Sequence, residues 1–381
     1  MKRIIFLIFL LIISLISTSY LDRVFAKVDE EAKKNYIVGF KSSINHSLIK
    51  AYRGDLKREY KSIPAVAVNL SSSAAINLAS NIDVEYIEED AKIQAAGQFL
   101  PWGITDVKAT DVHHEGIVGS GIKVGIIDSG IDNNHEDLLV SGGTNFVDGS
   151  QNFQDDNGHG THVAGTIAAL SNEVGVLGVA PKTDLFAIKV LDQYGNGNYS
   201  DVIAGIDWAI SNNIDIINIS LTGDTDSRTL KRAVDRAYNA GILVIAAAGN
   251  NGYNKKGTIA YPAKYESVIA VGAINNMKER PTFSSVGYEL DLMAPGVEIQ
   301  STIPNGYAYS SGTSMAAPHV AGIAALLLDA NPDLTNVQLR DVIIQSAHPL
   351  GDAFTYGKGW VDAWEALKLI QTSNYTAEQS Q

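Results

Sequence analysis

Residues 121–128 read GIKVGIID, and their pattern sets the architecture of the chain. Ile122, Val124, Ile126 and Ile127 show no strict alternation of apolar and polar positions, and the run is too short for an ordinary helix. A short, β-branched run bounded by glycine and aspartate is the pattern of a strand buried on both faces. Four more runs of this kind follow: DLFAIKVL (184–191), DIINISL (215–221), GILVIAAAGN (241–250) and SVIAVGAI (267–274). Amphipathic stretches lie between them, such as SDVIAGIDWAISNN (200–213) and SRTLKRAVDRAYNAG (227–241). Buried strands alternating with helices predict an α/β fold, a doubly wound and mostly parallel sheet with helices on both faces. In such sheets, active sites gather beyond the carboxyl ends of the strands.

Outward from this body, the amino terminus has a different character. Lys2 and Arg3 precede an apolar stretch from Ile4 to Ile16, and small-residue sites follow at Ser17–Ser19 and Val24–Ala26. That layout predicts a secretory signal peptide over residues 1–26 and an extracellular destination without stable membrane association. Residues 27–96 read as a small α+β unit. Strands are expected at Tyr36–Phe40, Ala65–Leu70 and Val84–Ile87, and helices near Ser43–Tyr60 and Ser72–Ser80. AKIQAAGQ (91–98) reads as a linker, residues 97–368 as the main domain, and 369–381 as a polar tail. Cysteine is absent, so stability outside the cell must come from packing or a bound metal. Residues 1–96 carry 13 Lys+Arg and 11 Asp+Glu, whereas residues 97–381 carry 16 and 31. An acidic main body argues against nucleic acid or an anionic membrane as partner.

Four polar residues fall where strands end or helices begin. Asp128 closes GIKVGIID, His159 lies in DNGHGTHVAG (156–165), Asn250 closes GILVIAAAGN, and Ser314 lies in SSGTSMAAPHVAGIAALLLDA (310–330). Singly, each reads as a turn former or a cap. His159 and His162, three apart, also have the spacing of a metal pair. Together the four meet the needs of acyl transfer. A serine hydroxyl needs a base, the base needs a carboxylate to orient it, and the oxyanion needs donors. The Asn250 amide and the Ser314 N–H at a helix start supply such donors. Pro318 is expected within the first turn or so of that helix, where N–H groups lack partners.

The order Asp, His, Ser in the settings VGIIDSGID, NGHGTHVAGT and SSGTSMAAPHVAG resembles the subtilisin-like serine proteases, from about Tyr36 to Lys368. The resemblance implies a secreted serine endopeptidase acting on protein or peptide substrates, with a dedicated processing protease for one leader or partner as the alternative. It assigns Asp128 as orienting carboxylate, His159 as general base and acid, Ser314 as nucleophile and Asn250 as oxyanion donor. His162 and His319 become structural histidines, while His113, His114 and His348 read as surface residues.

The resemblance also makes residues 27–96 a propeptide, a transient inhibitor and folding template, removed by self-cleavage at Ala96–Gly97 to leave a monomer. Substrate is expected to add as a strand between Gly195-Asn196-Gly197 and Ser220-Leu221-Thr222. Tyr199, Val202 and Leu221 would line an apolar subsite, and Ala247 and Ala260 join the substrate positions. Thr222 and Ala260 stand where the family most often has glycine, so the pocket for the residue before the cut is expected to take small or medium side chains. The loop LSNEVGV (170–176) implies a calcium site built from the carbonyls of Leu170, Val174 and Val176 with Gln98, Asp137 and Asn172. Glu289 and Asp291 offer carboxylates for a weaker second cation site, although two carboxylates near a turn are usually just solvated.

Overall fold

The computed structural model describes residues 33–91, 97–253 and 256–372. The expected signal peptide, Ala96 at the expected cut and residues 373–381 of the expected tail lie outside the described residues. The chain divides into two compact units between Ala95 and Ala96.

In the first unit, β1 (Lys34–Phe40), α1 (His46–Ala51), β2 (Asp55–Glu59), β3 (Ala65–Leu70), α2 (Ser72–Ala79) and β4 (Val84–Glu89) follow in order. The strands form an antiparallel sheet in the order β2-β3-β1-β4. Val38, Phe40, Val66, Val68, Leu70 and Leu78 fill its core. Asn45 and Ser71 cap the two helices, each accepting from a backbone N–H three residues on. The helix expected over 43–60 is corrected: it ends at Ala51, the chain reverses at Arg53 with φ 56°, and DLKRE forms strand β2. Every residue of that strand is exposed, so its side chains carry no period-2 signal. Ladder bonds to β3 override a composition that favours helix.

The second unit begins with two short helices, α3 (Trp102–Asp106) and α4 (Ala109–His114). Then come β5 (Lys123–Asp128), β6 (Val140–Asn145), α5 (His159–Ala168), β7 (Asp184–Lys189), α6 (Tyr199–Ser211), β8 (Ile216–Ile219), α7 (Arg228–Asn239), β9 (Leu243–Ala247) and β10 (Val268–Ile274). After these come β11 (Leu292–Pro295), the antiparallel ribbon β12 (Ile299–Ile303) and β13 (Gly306–Ser310), α8 (Thr313–Ala330), α9 (Asn336–Gln345), α10 (Ala353–Tyr356) and α11 (Ala363–Thr372). Seven strands make one wholly parallel sheet, ordered β11-β10-β9-β8-β5-β7-β6. The five apolar runs occupy its centre, as an α/β doubly wound sheet requires.

Neighbouring residues serve opposite faces of the sheet. Val124 and Ile126 enter the core shared with α5 and α8, while Ile127 enters the core beneath α6 and α7. That two-sided burial removes the alternation from GIKVGIID. Helix α8 is long and apolar enough to cross a membrane by length and composition, but 78% of it is buried inside the unit. It is the central core helix, apolar all round because protein surrounds it.

Strand order reverses at β5: β7 and β6 lie to one side, β8 to β11 to the other. A crevice opens at such a reversal, beyond the carboxyl ends. Asp128 is the last residue of β5, Ser220 follows β8, and Asn250 lies three residues past β9.

Candidate active site

His159 is the first residue of α5, and its Nδ1 meets Asp128 Oδ1 at 2.8 Å. Asp128 is completely buried, whereas the His159 side chain is 31% exposed. The contact requires α5 to lie against the turn after β5. Gly160 permits this, since a Cβ there would run into the Gly130 carbonyl and crowd the Asp128 side chain. Burial alone would depress the His159 imidazole, but the charge and hydrogen bond of Asp128 outweigh it and hold the pKa above the usual 6.5. Asp155 adds a smaller push in the same direction.

Asp155 was not singled out from the sequence. Its buried carboxylate accepts from the Ser129 hydroxyl and from the N–H groups of Asn157, Gly158 and Thr161, and so shapes the turn that delivers His159. Lys189, 4% exposed, adds bonds to the Ser129 and Leu191 carbonyls and to Asp156.

His162 is engaged apart from His159, although both border the same cavity. Its Nε2 lies 3.0 Å from the Ile299 carbonyl and 3.2 Å from that of Ala308, and burial pushes its pKa down to about 4. The two rings therefore do not converge on a metal. His319 is fully buried in α8, with Nδ1 2.8 Å from the Met315 carbonyl and a pKa pushed down to about 4 by burial. His114 is exposed. His348, with 45% of its side chain exposed, is also at the surface, and the surface reading is corrected for His113, which is half-buried. His113 bonds the Val179 carbonyl; His348 bonds Asp362 and stacks on Trp360.

Ser314 is the second residue of α8. Its hydroxyl donates to the Ser220 carbonyl at 2.9 Å, and among the described residues no hydrogen bond joins it to His159. Catalytic hydrogen bonds are often long or misaligned before substrate arrives. Asn250 Oδ1 accepts from both the N–H and the hydroxyl of Thr313, each at 3.0 Å. The amide nitrogen is thereby left to donate elsewhere, on the side of Gly312. Thr313, unnoticed in the sequence, thus orients the amide. Pro318 is the sixth residue of α8, past the first turn, which corrects its expected place.

Two cavities, of about 480 and 550 Å³, share Asn157 and His159 in their walls. The larger brings together Gly195, Asn196, Gly197, Tyr199, Val202, Ser220, Leu221 and Thr222, and adds Leu191, Tyr194 and Asn198. Ala247 and Ala260 do not line it. Both are buried, Ala260 beside Gly249. The backbone of Tyr261 pairs with Gly223, so the segments carrying Ala260 and Thr222 face each other. The smaller cavity is lined on the other side of His159 by Ile303, Pro304, Ala308, Tyr309 and Ser310, a wall not foreseen from the sequence.

At the far end of α5 lie several residues of the expected cation site. Gln98 donates its amide Nε2, rather than turning its oxygen, to the carbonyls of Leu170 and Val176, and Asp137 Oδ2 accepts the Val176 N–H at 2.9 Å. Asn172 Oδ1 accepts the Val174 N–H. Gly175 turns the loop with φ 56°, and a side chain there would strike Tyr307 and Asp137. Asp137 Oδ1 is buried without a partner, and burial raises the pKa of the carboxyl. One orphaned carboxylate oxygen among carbonyls and amides fits a hard cation with oxygen ligands. The residues of the second expected site do not fit one. Asp291 bonds Arg340 at 3.1 Å and the Ala270 N–H at 2.8 Å, and Glu289 pairs with Lys264. The protein's own cations already neutralise both carboxylates.

A buried carboxylate, a histidine and a serine at the carboxyl edge of a doubly wound sheet define a serine hydrolase. The Subtilase family model matches residues 119–359. Subtilisin NAT of Bacillus subtilis subsp. natto is 50% identical over 346 residues, covering 88% of this chain and 91% of that one. Subtilisin of Bacillus pumilus is 56% identical over 274 residues, 71% of this chain and all of that one. M-protease of Shouchella clausii (strain KSM-K16) is 43% identical over 371 residues, 93% and 96% of the two chains. The chain belongs to the subtilase family and is a serine endopeptidase, so its substrates are proteins or peptides.

Proposed function

We propose that the chain is secreted as a precursor and hydrolyses peptide bonds through Ser314, His159 and Asp128. Ser314 Oγ attacks the scissile carbonyl as His159 Nε2 takes its proton. Asp128 fixes the tautomer through Nδ1 and stabilises the imidazolium. The oxyanion takes hydrogen bonds from the Asn250 amide and the Ser314 N–H. The tetrahedral intermediate collapses as His159 protonates the leaving amine. Water then repeats the cycle on the acyl-enzyme. The observation that carries this reading is the 2.8 Å bond between fully buried Asp128 and a His159 that borders both cavities.

Substrate lies between Gly195–Gly197 and Ser220–Thr222 as an added strand. The volume that Thr222 adds to the cavity wall favours small or medium residues such as Ala or Leu before the cut. Ala96 at the self-cleavage site suits that preference, and residues 27–96 act before release as folding template and inhibitor of a monomeric enzyme. Gln98, Asp137, Asn172 and the carbonyls of Leu170, Val174 and Val176 hold one calcium ion, which ties three chain segments together without disulfides. Export is supported by the basic, apolar, small-residue order of residues 1–26.

The experiment is labelling with a fluorophosphonate followed by peptide mapping, with peptide-library cleavage on the same preparation. The label is expected on Ser314, to be lost in His159→Ala. Attachment elsewhere, or labelling indifferent to His159, refutes the assignment. A tenfold preference for Phe over Ala before the cut refutes the pocket reading.

A further inference from the structure

Helix α8 carries proline at its sixth position. In an α-helix the N–H of residue i+4 bonds the carbonyl of residue i, so Pro318 deprives the Ser314 carbonyl of its helical donor. A donor from outside the helix takes that place: the Ser220 hydroxyl donates to Ser314 O at 2.9 Å. Ser220 is 2% exposed, and Asn218 Nδ2 donates to its Oγ at 2.9 Å. Asn218 belongs to β8, completely buried in the middle of the sheet. A polar chain therefore runs from rigid sheet through Asn218 and Ser220 to the first turn of α8. Because the Ser314 hydroxyl donates in turn to the Ser220 carbonyl, the two serines exchange a reciprocal pair of bonds.

We propose that the Ser220 side chain is a positioning residue for catalysis, holding the Ser314 backbone in register with the substrate-binding edge. This rests on Ser314 as nucleophile, and extends the role of Ser220 from its backbone to its hydroxyl. The reasoning turns on Pro318. With an N–H at position 318, the helix would satisfy its own carbonyl, and a shift of α8 against β8 would not leave the Ser314 carbonyl without a donor. With proline there, the i+4 donor is gone, and the Ser220 hydroxyl replaces it only while the turn stays against Ser220. The N–H of Ser314 belongs to that same turn, so the donor for the oxyanion and the strand that receives substrate are set by one contact. A small misplacement of such a donor weakens binding of the transition state more than binding of substrate.

The test uses the full chain, allowed to mature, with active sites counted by fluorophosphonate and kcat and KM measured on one chromogenic peptide. Ser220→Ala is expected to lower kcat by about tenfold, the rate equivalent of one hydrogen bond, with KM within about twofold. Pro318→Ala restores an N–H facing Ser314 O and alone stays near the parent. Ser220→Ala with Pro318→Ala together recover most of the lost kcat. A kcat within twofold of the parent in Ser220→Ala, a loss confined to KM, or a double variant as slow as the single one overturns the proposal. Should the Pro318 variants not fold, Asn218→Ala decides: it leaves the Ser220 hydroxyl unoriented, so kcat must fall at constant KM, and an unchanged kcat overturns the proposal. Labelling of the parent away from Ser314 instead refutes the nucleophile assignment, which separates the two failures.

Discussion

Burial pushes His162 and His319 down to about 4 from an ordinary 6.5, and the pH dependence of stability follows with a definite sign. Each folded-state value lies below the unfolded one, so between pH 6.5 and 4 the unfolded chain binds more protons. Stability must fall as pH drops through that window and level off below it. At 1.36 kcal/mol per unit, the full effect is about 3 kcal/mol for each ring, and about 2 kcal/mol of it is lost by pH 5. The rings are 3% and 0% exposed, so solvent does little to soften the cost. His162 adds a smaller downward push to His319.

The perturbation is His319→Asn, whose amide nitrogen can take over the Nδ1 bond to Met315 O and does not titrate. Urea midpoints of enzyme blocked at its nucleophile, taken at pH 8 and pH 5, remove self-digestion from the measurement. Whatever the substitution costs at pH 8, the further loss on going to pH 5 should be smaller than in the parent by about 2 kcal/mol. His162→Gln, which keeps a donor at the Nε2 position, should behave alike. An equal pH 8 to pH 5 loss in variant and parent refutes the reasoning.

Asp155→Asn removes one of the charges that raise His159, so the acid limb of kcat/KM should move to lower pH; an unmoved limb excludes that influence. The same variant turns a donor toward Thr161 N–H and should lower stability by about 2 kcal/mol in a urea titration. Excess chelator should lower the melting temperature of the parent, by the equivalent of about 2.7 kcal/mol where calcium stood at a hundred times its Kd. Chelator should have little effect on Asp137→Asn, and an unchanged parental curve removes the site. Gly160→Ala should yield no active enzyme, because its Cβ would meet the Gly130 carbonyl; normal activity of that variant would show that α5 can stand off from β5.

The central sheet was legible because burial on both faces leaves an unmistakable run, and Val124 to Ile127 divide between two cores as that implies. Two edge strands, β6 and β2, were not. VSGGTN in β6 is glycine-rich and half-exposed, and DLKRE in β2 has no buried residue, so neither shows a period. The candidate site was legible in its reacting groups, since aspartate, histidine and serine sit in motifs with steep demands on their neighbours. The groups that hold them were hidden. Thr313 reads as part of GTS, Asp155 as a turn residue, and Lys189 as an interruption of an apolar strand. Each acts through a partner distant in sequence. Pro318 was misplaced because the first residue of a helix is the least certain feature of a sequence reading.

Helix α5 connects the candidate active site to the loop proposed to hold calcium. Its ten residues span about 15 Å, with His159 at one end and the turn into Leu170 just beyond the other. Every residue from Gly160 to Ala168 is buried, and the helix packs along α8 and β12. A helix so enclosed moves as a body or not at all, because a packed interior has no room for it to bend. Loss of a cation from the loop after Leu170 would therefore not drag His159 gradually away from Asp128. It would lower the barrier to releasing α5 altogether. On the proposed reading, chelated enzyme should keep its kcat until it unfolds, and the fraction of active sites should fall in step with the fraction folded.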